Sequence, residues 1–402
     1  MMKNNSLALD GIRILSLEHV LAVPYGTMVL ADLGAEVIKV ERPGTGDDSR
    51  QYGPFLNGES GYFISINRNK KSITLDYSTE EGREILRALV KKSDVVVENF
   101  RPGALKKLKL GYDDFKLVRP DIIYASISAF GHDTTPEYRN MAGYDIIAQA
   151  MGGIMDITGQ PDGPPTRVGT SIADISSGLT LAIGILSALH KRDKTGAGSA
   201  IDISMMDVVA SILENAIVRY TATGAVPGRI GNQHPSITPF DSFHAQDGWV
   251  IIAVGNDSLW KRFCQATDMA ELVNDSRFET NEKRTLHYSQ LQVIIARWVG
   301  RNTVSFILDL LKRAGVPASS VNTVSELVAN SNMDYRNMVV EVKQPYAGNV
   351  KIANTPLWFS LTPEGVKHRP APILGQHTNE VLGNLLGYSI NRIERLRNSG
   401  VI

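Results

Sequence analysis

The stretch RILSLEHVLAVPYGTMVLADLGAEVIKVE, residues 13–41, reads as strand, helix, strand. RILSLEHV (13–20) has the near-continuous apolar character of a buried strand. PYGTMVLADLGA (24–35) reads as a helix with Pro24 in its first turn, where a missing N–H costs nothing. EVIKVE (36–41) reads as a strand again. The alternation continues through SITLDY (72–77), DVVVENF (94–100) and IIYASIS (122–128). Between the first two of these, Ser78 and Glu81 form a capping-box pattern ahead of a helix with apolar Ile85, Leu86, Leu89 and Val90. Strands that alternate with helices predict an α/β fold built on a mostly parallel sheet covered on both faces.

Further along, PTRVGTSIADISSGLTLAIGILSAL (165–189) carries one carboxylate, Asp174, into a long apolar helix pattern whose Leu179, Ile183 and Leu186 share one face. A lone acid at such an edge is either a helix cap or a nucleophile, and the segment alone favours the cap. AIDIS (200–204) and a helix from about Met205 to Tyr220 follow. Near residue 225 the texture changes to GAVPGRIGNQHPSITPFDSF, a linker or active-site loop. WVIIAVG (249–255) then opens a smaller unit with helices near 258–268, 288–299 and 303–314, and GVPASSVNT (315–323) reads as a returning loop. The expected division is a large domain over 1–225, a small domain with linkers over 226–330, and a segment over 331–402 that returns to the large one and ends in a helix near 377–386.

Composition narrows the functions. The 402 residues carry zero formal net charge and are 43% hydrophobic, so neither nucleic acid nor an anionic membrane surface is an expected partner. No apolar run reads as a membrane span and the first residues do not read as a targeting signal. The single cysteine, Cys264, fits a reducing, cytoplasmic setting. Eight scattered histidines give no metal-ligand spacing, and no metal is expected. Neither G-x-G-x-x-G nor a P-loop occurs, which disfavours nicotinamide and ATP chemistry. Basic residues do gather near strand ends: Lys39, Arg42 and Arg50, then Arg68, Lys70 and Lys71, then Arg101, Lys106 and Lys107. They form either a solvated rim or a pocket for an anionic ligand, since open parallel sheets bind ligands beyond their carboxyl ends.

Five segments resemble, in order, the class III CoA-transferases (the CaiB–BaiF family): LADLGAEVIKVERPGTGDDSR (30–50), NRNKKSITLDY (67–77), DVVVENFRPGALKKLKLGY (94–112), GPPTRVGTSIADISSG (163–178) and LGQHTNEVL (374–382). The resemblance implies a Rossmann-like large domain, a smaller α/β domain and an interlocked homodimer. It matches Asp174 to the family's catalytic aspartate. It matches Leu21 and Ala22, Arg42, Leu75, the Asn99-Phe100-Arg101 loop and Lys107 to CoA contacts, and Tyr144 with Asp145 to an aromatic–acid pair facing the active site. The implied substrates are an acyl-CoA and a small carboxylic acid, with no tightly bound cofactor.

Two departures refine this reading. The racemase branch has Gly-His-Asp where this chain has Gly143-Tyr144-Asp145, and phenols keep their proton near neutral pH. The formyl-CoA:oxalate type has a tetraglycine loop where Gly231-Asn232-Gln233-His234-Pro235-Ser236 stands, a form closer to members acting on larger acids such as succinate. Backbone N–H groups of that loop are expected to hold an oxyanion. The expected activity is CoA transfer through an aspartyl anhydride and an aspartyl-CoA thioester. An acyl-CoA racemase, and a non-catalytic nucleotide-binding homodimer in which Asp174 only caps a helix, remain as alternatives.

Overall fold

The computed structural model describes residues 7–359 and 368–402. The first six residues of the segment read for a targeting signal lie outside these. The chain forms two units: Met1–Ile154 with Arg167–Asn215 and Asp334–Ile402, and Met155–Thr166 with Ala216–Met333. The second unit therefore draws in 155–166 as well as the segment near 225.

In the first unit the parallel strands are β1 (Arg13–Leu17), β2 (Glu36–Glu41), β3 (Lys71–Thr74), β4 (Val95–Glu98), β5 (Ile123–Ser128) and β6 (Ser199–Ser204). They lie in the order β3-β2-β1-β4-β5-β6, every pair parallel. This is a doubly wound order whose direction reverses between β1 and β4, and a crevice opens there at the carboxyl ends. The helices needed below are α1 (Ala22–Asp32), α2 (Gly61–Ile66), α3 (Glu80–Val90), α4 (Ala104–Lys107), α5 (Asp145–Met151) and α6 (Ile172–Thr195). One face of the sheet buries Ile14, Val37, Val95 and Ile123 with residues of α1 and α6. The other buries Leu15, Ile38, Val96 and Tyr124 with residues of α3 and of the helices Thr378–Leu386 and Ile390–Asn398. Burial on both faces explains why the strands read as continuous apolar runs.

Four local expectations are corrected. Thr79, not Ser78, caps α3, accepting from the Gly82 N–H at 3.0 Å, because Ser78 is held by its own N–H to the Asp76 carboxylate at 2.9 Å. The helix expected over 205–220 is two, Met205–Ser211 and Ala216–Thr223, separated by a turn in which Glu214 has φ +55°. No glycine or proline announces that turn. Residues Ala318–Ser320 of the supposed returning loop form an edge strand.

The last correction concerns α6. At 24 residues it is long and apolar enough to pass for a membrane span, contrary to the sequence reading, yet half of it packs inside the first unit. The buried face is not Leu179, Ile183 and Leu186, which are 42%, 65% and 37% exposed. It is the small-residue face of Ala173, Ser177, Gly178, Ala182 and Ala188, joined by Leu181, Ile185 and Leu189. An all-round apolar helix has no polar face to orient it, so close packing selects the side that permits backbone contact. A Cβ on Gly26 would lie 2.5 Å from the Gly178 carbonyl oxygen, and one on Gly178 would lie 2.5 Å from that of Ala22.

The second unit is built on the antiparallel strands Phe240–His244, Trp249–Ala253 and Ala318–Ser320, with Trp249–Ala253 central. Helices Asp257–Ala266, Tyr288–Val299 and Val304–Arg313 supply Trp260, Phe263, Leu291, Ile295, Ile307 and Leu311 to its core.

Candidate active site

Asp174 lies in the first turn of α6 but does not cap it. Asp145, buried at the start of α5, does so from a distant position in sequence. Its Oδ1 accepts from the Ala173 N–H at 2.9 Å and the Asp174 N–H at 3.2 Å. Its Oδ2 accepts from Gln149 Nε2 at 2.6 Å, and Gln149 in turn accepts from the Val168 N–H at 2.9 Å. The helix's orphan donors are satisfied by another carboxylate, so that of Asp174 is free to face outward. Among the described residues it has no hydrogen bond or ion pair of its own. Burial, and then the like charge of Asp145, push its carboxyl up to about 7. A carboxylate with neither a cation nor a donor to quench it keeps its nucleophilicity.

The Gly26–Gly178 contact sets where this carboxylate stands. Asp174 is one helical turn from Gly178 on the same face, which brings it to the amino end of α1. Leu21 and Ala22 form that end, both buried. The preceding Val20 has φ +60°, a rare conformation for a β-branched residue. Two side chains hold the bend: Asp47 accepts from the Val20 N–H at 3.1 Å, and Asn99 exchanges hydrogen bonds of 2.9 and 2.8 Å with the N–H and C=O of His19. Asn99 thereby ties the loop after β4 to the loop after β1 across the crevice. Phe100 lies edge-on to His19 with ring centres 5.0 Å apart, and to Tyr77 at 6.5 Å.

The basic residues divide in a way that the sequence conceals. Lys39 and Lys70 are fully buried, neither rim nor pocket: Lys39 binds Glu18 at 3.2 Å and Asp47 at 2.6 Å, and Lys70 binds Glu18 at 2.7 Å. Arg68 is spent on Asp32, Arg50 on Glu41, and Lys71 on Glu36 and Glu380. The exposed cations are Arg42, Arg101, Lys106 and Lys107, of which Arg42 has only a loose 4.0 Å approach to Asp48. Leu75 is buried in the core, so it can offer a ligand only its backbone.

Two aromatic residues escaped the sequence reading. Tyr62 on α2 is raised to about 12 by burial and then by the charge of Asp174, which places it within electrostatic reach of that carboxylate. Tyr52 meets it edge-on at 5.7 Å and is itself influenced by Tyr144. Tyr144 is 72% exposed, while its neighbour Asp145 is buried, so the predicted pair splits into an outward ring and an inward cap. The signal available was two tyrosines in the polar, glycine-bearing segment between β2 and β3.

In the second unit the Gly231–Ser236 loop has spent most of its amides. Gly231, Gln233 and His234 donate to the carbonyls of Gly159, Ile230 and Phe240, and Ser236 donates to the His234 ring. Pro235 has no N–H, which leaves Asn232, so a multi-donor oxyanion hole from this loop's backbone is not available.

The arrangement is that of a doubly wound sheet with a clamped crevice and an unpaired carboxylate at its edge. The model of CoA-transferase family III matches residues 9–378. The chain is a member of that family. It is 40% identical to a succinyl-CoA:mesaconate CoA-transferase of Haloarcula hispanica over 96% of this chain and 99% of the relative. It is 42% identical to an acetyl-CoA:oxalate CoA-transferase of Acetobacter aceti, over 87% and 89%. A CAIB/BAIF family protein from Brucella suis has the same fold, with a TM-score of 0.82, 39% identity, and coverage of 94% of this chain and all of the other. This CoA-transferase therefore moves CoA between an acyl-CoA and a free acid.

Proposed function

We propose that this CoA-transferase carries CoA from a succinyl- or acetyl-type thioester to a small dicarboxylate through covalent intermediates on Asp174. The observation that supports this best is the division of labour between Asp145, which caps α6, and Asp174, which is left unpaired. The names of the mesaconate and oxalate relatives support the dicarboxylate.

In the first step an ionised Asp174 oxygen attacks the donor's thioester carbonyl, the C–S bond breaks, and CoA leaves as the thiolate. The thiolate attacks the aspartyl carbonyl of the resulting anhydride, which releases the donor acid and leaves an aspartyl-CoA thioester. The acceptor carboxylate attacks that carbonyl, expelling the thiolate again. The thiolate then attacks the acceptor's carbonyl in the second anhydride, giving the new acyl-CoA and restoring Asp174. No proton is needed at any step, so exclusion of water from the anhydrides is the protein's main task. Tyr52, Tyr62 and Tyr144 supply an aromatic wall for that purpose.

The CoA moiety lies in the crevice over Leu21, Ala22, Leu75, Asn99 and Phe100, with Arg42, Arg101 and Lys107 toward its phosphates. Charge-assisted contacts of this kind contribute roughly 1.5–3 kcal/mol. Arg42→Ala and Lys107→Ala are each expected to raise KM for the acyl-CoA about ten- to a hundredfold, with KM for the acceptor acid unchanged. Steady-state kinetics with each substrate varied in turn checks this, and equal effects on both substrates would place the crevice elsewhere. Leu179, Ile183 and Leu186, the bulky exposed stripe of α6, support a homodimer, and the single cysteine fits a reducing, cytoplasmic setting.

The deciding experiment incubates the enzyme with succinyl-CoA and hydroxylamine, then locates the hydroxamate by peptide mass spectrometry. The expected product is a hydroxamate at Asp174, formed without acceptor acid and suppressed by mesaconate, oxalate or glutarate, whichever is the true acceptor. In deuterated buffer the α-carbon of a 2-methylacyl-CoA should take up no deuterium, since α-exchange requires a pair of bases about one carbon and the racemase's histidine position is Tyr144. Deuterium uptake without hydroxamate would instead assign the racemase reaction.

A further inference from the structure

We propose that Glu98 and His132 are positioning residues for acyl-CoA binding, gripping the backbone of residue 100 from behind the crevice. This rests on the reading that acyl-CoA lies over Asn99 and Phe100.

Glu98 ends β4, is 1% exposed, and sits immediately before the Asn99-Phe100-Arg101 loop. Its Oε2 accepts from the Phe100 N–H at 2.6 Å, and its Oε1 accepts from the Tyr124 hydroxyl at 3.1 Å. His132 Nε2 lies 3.3 Å from the same Oε1; burial holds the imidazole below its ordinary range, against the opposing pull of Asp202 and the Phe100 backbone. The Phe100 N–H is thus held by Glu98, with His132 beside that carboxyl, while Asn99 anchors the other side of the loop to His19. A cavity of about 450 Å³ opens beside the pair, over β4, β5 and β6. The charged groups lining it are Asp202 on β6, Lys106 on α4, Asp113 and Arg139. Asp202 is itself occupied by the N–H groups of His132 and Asp133 at 2.8 and 3.0 Å, which fixes the segment that carries the imidazole.

Nothing in the transfer chemistry uses Glu98, and a carboxyl buried at the end of a central strand is costly to keep. Burial raises it to about 7, which makes the 2.6 Å hydrogen bond from the Phe100 N–H the contact this costly group is kept for. What the pair secures is the placement of the Phe100 ring against His19 and Tyr77, the aromatic floor of the crevice.

The test compares Glu98→Ala, Glu98→Gln and His132→Ala, with Lys107→Ala as the control for the crevice. Glu98→Ala is expected to raise KM for succinyl-CoA about tenfold or more, leaving kcat at saturation and KM for the acceptor acid unchanged. Glu98→Gln, whose amide oxygen still accepts from the Phe100 N–H, is expected to restore KM to within about threefold of the parent. His132→Ala, at a partly exposed position, is expected to raise the same KM three- to tenfold and serves if Glu98→Ala does not fold. Folded Glu98→Ala or His132→Ala enzyme with an unchanged KM would overturn the inference, as would a Glu98→Gln variant as impaired as the alanine one. If Lys107→Ala raises KM while the Glu98 and His132 variants do not, the grip is wrong and the crevice reading stands. If no variant moves KM, the crevice reading itself falls.

Discussion

Asp174→Ala is expected to lose CoA transfer by roughly 10⁴-fold or more, because in the proposed mechanism removing the covalent nucleophile abolishes the route rather than slowing one step. Acyl-CoA binding should persist, since the crevice is built by β1, β4 and α1 and not by this side chain. Asp174→Asn should be equally inactive, as an amide does not form the anhydride, and it isolates a second consequence. The Asp174 carboxyl is raised from 3.8 to about 7 in the folded protein by burial and by Asp145, so the native state holds its proton more tightly than the unfolded chain. Stability linked to that proton is fully present below about pH 4 and is lost as pH rises through 7. The asparagine variant does not suffer this loss. It should therefore match the parent near pH 4 and exceed it at pH 8 by roughly 2–4 kcal/mol, a range at or below what three pKa units imply once residual solvent contact is allowed for. Chemical denaturation at the two pH values measures it, and equal pH dependence of parent and variant would show that Asp174 is not the perturbed acid. Catalysis runs the other way: kcat/KM for acyl-CoA should climb with pH through about 7 as the carboxylate forms.

Lys39→Met is expected to cost about 3–5 kcal/mol, the typical penalty for breaking a buried ion pair by removing one partner. Lys39, Glu18 and Asp47 are all buried, and the lysine bridges the two acids. Burial works against every charge here. It is outweighed for Glu18, held down to about 2 chiefly by Lys39 and Lys70, and for Asp47, held well below the usual range by Lys39. With Lys39 gone, Lys70 can still serve Glu18, but Asp47 loses its cation. Asp47 is also the acceptor that holds Val20 at φ +60°, so KM for acyl-CoA should rise with the loss of stability. Urea unfolding together with KM measured well below the midpoint tests both. A variant within 1 kcal/mol of the parent would mean that the network is not what holds the bend.

The strands of the sheet were legible because burial on both faces writes unbroken apolar runs, and the crevice follows from their order. Asp174 was legible as an acid entering a helix, but cap and nucleophile look alike in sequence. The residue that separates them is Asp145, 29 positions earlier, and only folding brings it to the helix end. The lysines were misread for a related reason: a sequence records charge but not its partner, and Lys39 and Lys70 find theirs in Glu18 and Asp47. The face of α6 was misread because size, not polarity, decides which side of an apolar helix meets α1. Tyr62 carried no pattern of its own and is placed near Asp174 only by the packing of α2.

The glycine crossing of α1 and α6 also limits how this protein can change. In most helix pairs a larger side chain on one partner can be offset by a smaller one opposite, and sequences drift by such exchanges. Here each glycine faces main chain: Gly26 meets the carbonyl of Gly178, and Gly178 that of Ala22. Neither can grow at the other's expense, because the atoms closest to each added Cβ are main chain, which cannot be trimmed. The two positions therefore cannot covary. They form a fixed point in sequence space, and any drift that relocates Asp174 must first move a whole helix.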